Sequence, residues 1–365
     1  MNDPQGQPLT VMIVTPLGEG GKGGIDRIMD GVRRDLEARP RTDMSARFVV
    51  TRGQGSILMA PALTLQTIAR LFGARMTARR PVAHINLSSH GSTIRKLFVA
   101  AAARAAGVPY VIHLHGSRFR QYWDGLPTWL SNQVKIMFEN AAAVAVLGGV
   151  WRDYVEAKAP RSHVVILPNA TPAAPQAVVG ESDRTRILFL GRVGERKGVP
   201  ELLDALAILK DDPRWSAVIA GDGDVAGFEA KSEALGLDAA VRFTGWVGPQ
   251  QVDELLKSSD VLVLPSHDEN LPMSVIEAMS HGLAVVTTPV GAVEDIIKDG
   301  ETGLLVPVGD ADRLAQALRS LVESPDRIKA LGHAARAFHA ENLEIKPYVD
   351  RLVAIWKSAA VRAKA

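Results

Sequence analysis

The sequence predicts an α/β protein made of two doubly wound, Rossmann-like domains, each a parallel sheet wrapped in helices. Three observations carry this reading. Short apolar runs rich in β-branched residues alternate with longer helical stretches along the 365-residue chain. A proline-rich, aperiodic segment interrupts the alternation near the middle. Glycine-rich loops follow strands directly in both halves, at the strand ends where open α/β sheets hold ligands.

Leu9 to Thr15 reads as the first strand, residues 16–24 as a glycine loop, and Ile25, Ile28 and Met29 as the start of a helix. Strands are then expected at Arg47 to Thr51, Val82 to Asn86, Tyr110 to His115, Ala143 to Leu147 and Val164 to Asn169, spaced widely enough for crossover helices. Residues 171–183 carry two prolines and no periodicity, as a linker should. The alternation restarts at Arg186 to Leu190 and continues through Ala217 to Ala220, Val241 to Phe243, Val261 to Leu264, Ala284 to Thr287 and Gly303 to Val306. The expected domains are therefore 1–170 and 184–346, facing a central cleft. Residues 347–365 form an amphipathic helix expected to cross back to the first domain.

Composition bounds the function. Hydrophobic residues at 47% and charged residues at 22% suit a globular chain with two cores. The absence of cysteine excludes disulfides and thiolate chemistry and suits a reducing cytosol. The N-terminus is acidic and proline-containing where a signal peptide is basic and then apolar, and no uninterrupted apolar run approaches ~18 residues. A cytoplasmic protein is the expectation. Residues 1–168 hold 21 Lys and Arg against 11 Asp and Glu, whereas the remainder holds 21 against 29. From Met44 to Trp123 there is no acidic residue but eleven basic ones, among them Arg47, Arg52, Arg70, Arg75, Arg79, Arg80, Arg95 and Lys96. An anion-facing surface follows. Nucleic acid is a poor candidate for the anion, because aromatics are only 5% and do not interleave with the arginines.

Two segments carry chemistry. In residues 265–282 a strand ends in a loop that opens a helix, so backbone N–H groups near Met273 and Ser274 would be first-turn donors suited to a diphosphate. Glu269 in the loop and Glu277 one turn inside the helix would accept hydroxyl donors, which suggests one acid for each of two sugar rings. In residues 190–198 another strand ends in a glycine loop bearing Arg192, Arg196 and Lys197, fixed cations that would favour a leaving diphosphate.

Taken together these features resemble glycosyltransferase family 4. The resemblance rests on G-R-x-x-x-x-K-G at Gly191 to Gly198, E-x7-E at Glu269 and Glu277 with its E-A-M tail, and G-D-G at Gly221 to Gly223. Pro168-Asn169 and the loop at Gly20 to Gly24 complete it. It implies the GT-B fold and a retaining, metal-independent hexosyltransferase with no cofactor, the first domain holding the acceptor and the second the nucleotide sugar. By the resemblance, Arg192 and Lys197 hold the donor phosphates and Glu277 the ribose. Glu269 takes the hydroxyls of the transferred sugar, and Gly23 and Gly24 approach the diphosphate. Arg196, Gly221, Asn270, Leu271, Met273 and Ser274 complete the donor set, and His115 lies against the donor sugar. His113 is placed on the other sheet face, and His84, His90, His267 and His281 keep structural roles. Asn270, Leu271 and Pro272 replace the glycines and aromatic that follow the first glutamate in many family members. GDP or UDP, and mannose or glucose, therefore stay open.

The basic first domain suggests a polyprenyl-diphosphate-linked glycan acceptor at an anionic inner membrane face, in cell-surface polysaccharide synthesis. Three other classes compete. A sugar-nucleotide epimerase or phosphorylase of related fold could share the cleft, but the G-R-x-x-x-x-K-G and E-x7-E combination favours transfer, and a non-catalytic partner subunit would not need Arg192, Lys197, Glu269 and Glu277. A dinucleotide dehydrogenase needs a glycine spacing and a following acidic residue that residues 18–23 do not provide.

Overall fold

The computed structural model describes residues 8–21, 23–76 and 80–362. The chain divides at Asn169/Ala170 and Glu344/Ile345 into two compact units, the second inserted into the first. Unit 1 contains strands β1 (Leu9–Thr15), β2 (Met44–Val50), β3 (Arg80–Leu87), β4 (Tyr110–Leu114), β5 (Ala143–Val146) and β6 (Val164–Ile166). Its helices are α1 (Gly24–Ala38), α2 (Ala60–Met76), α3 (Gly91–Ala105), α4 (Phe119–Asp124), α5 (Thr128–Glu139) and α6 (Gly149–Lys158). Unit 2 contains β7 (Thr185–Leu190), β8 (Trp215–Ala220), β9 (Val241–Gly245), β10 (Val261–Leu264), β11 (Ala284–Thr287) and β12 (Leu304–Leu305). Its helices are α7 (Val199–Ile208), α8 (Val225–Ala234), α9 (Pro249–Lys257), α10 (Met273–His281), α11 (Ala311–Val322) and α12 (Pro325–Asn342), before α13 (Ile345–Arg362) returns to unit 1.

Both sheets are six-stranded and parallel, ordered β2-β1-β3-β4-β5-β6 and β12-β11-β10-β7-β8-β9. Central strands such as β1 and β10 are buried on both faces and so read as continuous apolar runs, whereas edge strand β2 alternates. The order reverses between β1 and β3 in unit 1 and between β7 and β10 in unit 2. A crevice opens at such a switch point beyond the strand ends, because the connections leave on opposite faces. The glycine loop follows β1, and the two charged segments follow β7 and β10.

The final helix begins at Ile345, two residues before the expected start, and packs against α1 and over β1, β3 and β4. Tyr348, Leu352, Trp356 and Ala359 recur at helical spacing and are all buried, which places one apolar stripe on the sheet. Trp356 Nε1 donates to His84 Nδ1 at 3.1 Å. Residues 171–183 hold no helix or strand, yet they are tied to unit 2. Ala177 N donates to the His281 carbonyl at 2.8 Å, and Gly180 N to Asp260 Oδ1 at 2.8 Å.

The acid-free stretch is not uniformly a surface. Arg47, Arg70, Arg75, Arg104, Arg118 and Arg120 are exposed and Arg52 and Arg95 half-buried, while Arg79 lies outside the described residues. Lys96 corrects the expectation: it is fully buried, and its Nζ bonds Thr51 Oγ1. Burial, and then the nearby Arg95 charge, push its pKa down to about 7, against a smaller opposing pull from Asp26.

Candidate active site

In unit 2 the two charged loops meet at the switch point. Gly198, at φ +72°, starts α7 where a Cβ would lie 1.9 Å from the Pro265 carbonyl oxygen, so only glycine allows the loops this approach. Gly221 is held equally tightly, its absent Cβ 1.8 Å from the Gly191 carbonyl oxygen, which gives this donor-set candidate a packing role. Val193 N also donates to the Asp222 carbonyl at 2.6 Å, locking the G-D-G loop onto the loop that carries Arg192.

The side chains then converge on one carboxylate. Glu269 Oε1 accepts from Lys197 Nζ, from Arg196 Nη1 at 3.4 Å and from Ser266 Oγ at 3.3 Å. Arg196 Nη1 also donates to the Asp268 carbonyl at 2.7 Å. Lys197 and Glu269 are mostly buried, so their charges are less screened than an exposed pair would be. Arg192, from the same loop, is exposed. Asn270 and Leu271 are buried beside Glu269 in sequence. Pro272 stands before the first helical residue, a position that needs no donated N–H. The first intrahelical bond of α10 runs from Ile276 N to the Pro272 carbonyl at 3.4 Å, so the amides of Met273, Ser274 and Val275 precede the ladder. Glu277 is half-buried on the next turn.

Two supports of this loop escaped the sequence reading. Ser266, fully buried, bonds Glu269, and its own carbonyl accepts from Thr288 Oγ1 at 2.6 Å. Gly291, at φ +61°, lies so close that a Cβ would be 2.3 Å from the carbonyl oxygens of Glu269 and Asn270. The only sequence signal for either is position, a serine at a strand end and a glycine after Pro289-Val290.

In unit 1 the loop after β1 closes on Asp26, in the first turn of α1. Asp26 Oδ1 accepts from Leu17 N at 3.1 Å and Gly18 N at 3.0 Å, and a Cβ on Gly21 would fall 2.7 Å from the Asp26 carboxyl carbon. Burial raises the Asp26 pKa, opposed by those two amides. Gly23 caps α1, and Gly24 is exposed with nothing within 4 Å of where its Cβ would be. The loop is thus braced from within by a carboxylate and open at Gly24.

His115 follows β4, its N donating to the Leu87 carbonyl at 2.9 Å. Asn86 Nδ2 donates to the Val14 carbonyl at 3.1 Å, which leaves Asn86 Oδ1 facing His115 Nε2 at 2.9 Å. An amide oxygen only accepts, so Nε2 carries the proton and Nδ1 keeps its lone pair. Burial, and then the His84 ring, push the His115 pKa down to about 3. His115 is therefore a neutral hydrogen-bonding group at pH 7.

The placement of His113 is corrected. Residues two apart on a strand share a face, and the rings of His113 and His115 lie 4.0 Å apart. His113 is fully buried between His115 and His84, whose ring is 5.3 Å away. His84 is held down at about 4 by burial, and His113 well below its usual value by burial and its two neighbours. Among the other histidines, His267 Nε2 pairs with Glu201 at 2.8 Å and His281 Nε2 with Asp253 at 3.0 Å. His90, at φ +55°, precedes α3 with its ring 4.8 Å from that of Tyr122.

Residues 9–170 match the family Glycosyl transferase 4-like domain, and residues 171–338 match Glycosyl transferases group 1. The chain is 28% identical over 309 residues to an alpha-D-kanosaminyltransferase of Streptomyces kanamyceticus, an alignment covering 78% of this chain and 79% of that protein. It is 30% identical over 263 residues to an alpha-maltose-1-phosphate synthase of Mycolicibacterium smegmatis, covering 63% and 68%. A D-inositol 3-phosphate glycosyltransferase of Rhodococcus jostii is 32% identical over 199 residues, but the match spans only 44% of its length and 52% of this chain. Among solved structures, sucrose-phosphate synthase from Thermosynechococcus elongatus superposes with a TM-score of 0.78 at 18% identity, covering 98% of this chain and 100% of that one. Anabaena HepE in complex with UDP-glucose gives 0.74 at 17% identity, covering 96% and 99%.

Two parallel six-stranded sheets, each with its charged or glycine-rich loop at the switch point, define the GT-B fold, and the two family matches define a glycosyltransferase built on it. The chain belongs to that class, joining a glycosyl transferase 4-like domain to a glycosyl transferases group 1 domain.

Proposed function

We propose that the chain is a retaining, metal-independent hexosyltransferase that moves a mannose- or glucose-type sugar from a GDP- or UDP-sugar to a polyprenyl-diphosphate-linked glycan. It works in cell-surface polysaccharide synthesis at the cytoplasmic face of the membrane. The observation that carries the reading is the convergence of Lys197, Arg196 and Glu269 beside the first turn of α10 in unit 2. In this reading the α10 amides and the cations Arg192 and Lys197 bind the diphosphate, and Glu277 accepts from the ribose. Glu269 Oε1 is already engaged by three donors, which leaves Oε2 to accept from the hydroxyls of the transferred sugar. His115 Nδ1 accepts from a further sugar hydroxyl, and Gly23 and Gly24 let backbone approach the diphosphate.

The reaction breaks the bond between the anomeric carbon and the phosphate oxygen and forms one from that carbon to the acceptor oxygen on the same face. The acceptor hydroxyl gives its proton to the departing phosphate, so no carboxylate is required as nucleophile. Fixed cations oppose the charge that grows on the leaving group, the role a divalent ion fills elsewhere. UDP-glucose bound to the HepE structure and the sugar-transferring relatives support a nucleotide-sugar donor.

The test is thermal-shift titration with GDP, UDP, ADP and their sugar conjugates in EDTA, followed by the anomeric configuration of the product by NMR. One nucleotide standing out, with retention, is the expected result. A flat panel from folded protein overturns the donor-site assignment and returns a partner-subunit role. Loss of binding in EDTA overturns metal independence.

A further inference from the structure

We propose that α2, with the turn before it, is an interfacial helix that inserts its outer face into the acyl boundary of an anionic bilayer and docks unit 1 there. The inference rests on the membrane part of the reading above and assigns it an element and a mode of contact.

Helix α2 is built inside out. Its buried side consists of Ala60, Thr64, Thr67 and Leu71. The threonine hydroxyls are satisfied by backbone: Thr64 Oγ1 donates to the Ala60 carbonyl at 2.7 Å, and Thr67 Oγ1 to the Leu63 carbonyl at 3.0 Å. The outward side carries the large apolar residues. Leu65, Phe72 and Met76 fall within an arc of ~40° at ~100° per residue, and Leu58, in the preceding turn, continues the stripe. Leu58 and Met76 are 84% and 86% exposed, and Leu65 is 65% exposed. Phe98 of α3, which packs alongside α2, adds a further exposed ring. A helix whose polar side is spent on its own fold and whose apolar side faces out has an apolar partner.

The stretch Ile57–Met76, 20 residues, is long and apolar enough to cross a membrane, yet its inner side is bonded into unit 1 against β2, β3 and α3. Lying in the interface satisfies both facts, whereas crossing the bilayer would tear that side out of its packing. Charge selects the occupant. Arg70 and Arg75 flank the stripe and are exposed, and no acidic residue occurs from Met44 to Trp123. A second copy meeting this face by two-fold symmetry would set those arginines against their equals with no carboxylate in the stretch to pair them. Anionic lipid headgroups pair them, and the acyl layer below takes the leucines and the phenylalanine.

The chain has no cysteine, so Leu65→Cys and, as a control on unit 2, Ser182→Cys each give one labelling site for a polarity-sensitive fluorophore. The test is flotation of the full chain with vesicles of phosphatidylcholine alone or with 30% phosphatidylglycerol, at low salt and at 1 M KCl. The wild-type chain is expected to bind the anionic vesicles and to stay partly bound in 1 M KCl, where charge attraction is screened beyond ~3 Å. The label at Leu65→Cys should shift to the blue and be quenched by lipids brominated on the acyl chain, and the label at Ser182→Cys should not. Joint Leu58→Gln, Leu65→Gln and Phe72→Gln replacement should weaken binding by ~10-fold or more and make it fully salt-labile, with nucleotide binding unchanged. Complete release by salt with an aqueous label at Leu65 overturns insertion and leaves the membrane held by charge alone. Absence of binding to any vesicle, with transfer to a soluble acceptor intact, overturns the membrane reading itself. Lipid-free dimers dissolved by the same triple replacement overturn it in favour of a second copy.

Discussion

The two units share a sheet of six parallel strands and differ in what they bring to the strand ends. Unit 2 brings formal charge: Arg192, Arg196 and Lys197 from the loop after β7, Glu269 from the loop after β10. Unit 1 brings neutral groups: a glycine loop braced from inside by Asp26, and a stack of histidines in which His115 is a hydrogen-bonding imidazole. Under the proposed function the contrast separates two tasks. Binding a polyanion needs cations whose own attraction to a carboxylate keeps them placed before the ligand arrives. A ring acceptor, unlike a carboxylate, accepts only from the nitrogen that lacks the proton, so it must be fixed in one tautomer, which the Asn86 to His115 bond provides.

The contrast can be broken first at the loops. Gly198→Ala in unit 2 forces a methyl to 1.9 Å from a carbonyl oxygen in left-handed backbone, and we expect it to cost more than ~4 kcal/mol of stability by denaturant titration. A variant of normal stability would mean the loops need not touch. In unit 1, Trp356→Ala removes the fully buried indole beneath the histidine stack and is expected to cost ~3–5 kcal/mol. If the two units unfold separately, only the unit 1 transition should move.

At the level of turnover, Lys197→Ala should lower kcat by ~10²–10³-fold and weaken nucleotide binding as well. His115→Ala should lower kcat with nucleotide affinity changed less than ~3-fold. Equal effects of both on nucleotide affinity would erase the division between the units.

Acid should separate them too. His84 is held neutral in the folded state, with its pKa down to about 4, so below pH 6.5 the unfolded chain binds the extra proton and stability falls with pH. At pH 5 the loss from this residue is ~2 kcal/mol, still growing until pH passes about 4. His113 and His115 act in the same direction in unit 1, and His339, also held near 4, does so in unit 2. Calorimetry between pH 7 and 5 should show the unit 1 transition falling further. His84→Gln should flatten that dependence. The smallest effect is expected at Gly24→Ala, within ~0.5 kcal/mol of wild type, since its methyl would meet nothing within 4 Å.

Strand positions were legible because buried parallel strands must be apolar on both faces, so β1, β7 and β10 stand out as runs. The charged loops were legible because glycine and basic residues follow those runs directly. What the sequence hid depends on tertiary approach. Ser266 and Gly291 matter only because separate loops meet. Asp26 looks like an ordinary first-turn acid until the glycine loop folds onto it. The α2 surface was hidden by a pattern whose meaning is inverted: Thr64, Gln66, Thr67 and Arg70 interrupt the apolar run and conceal its length, and the threonines, which would normally mark the wet side, face inward.

The return of α13 to unit 1 sets an order of events during synthesis. Unit 2 has every one of its strands once Glu344 has been made, but the sheet of unit 1 stays uncovered where Tyr348, Leu352 and Trp356 belong. The later half of the chain can therefore close first, and the earlier half must wait, its apolar face exposed, until residues 345–362 have been made.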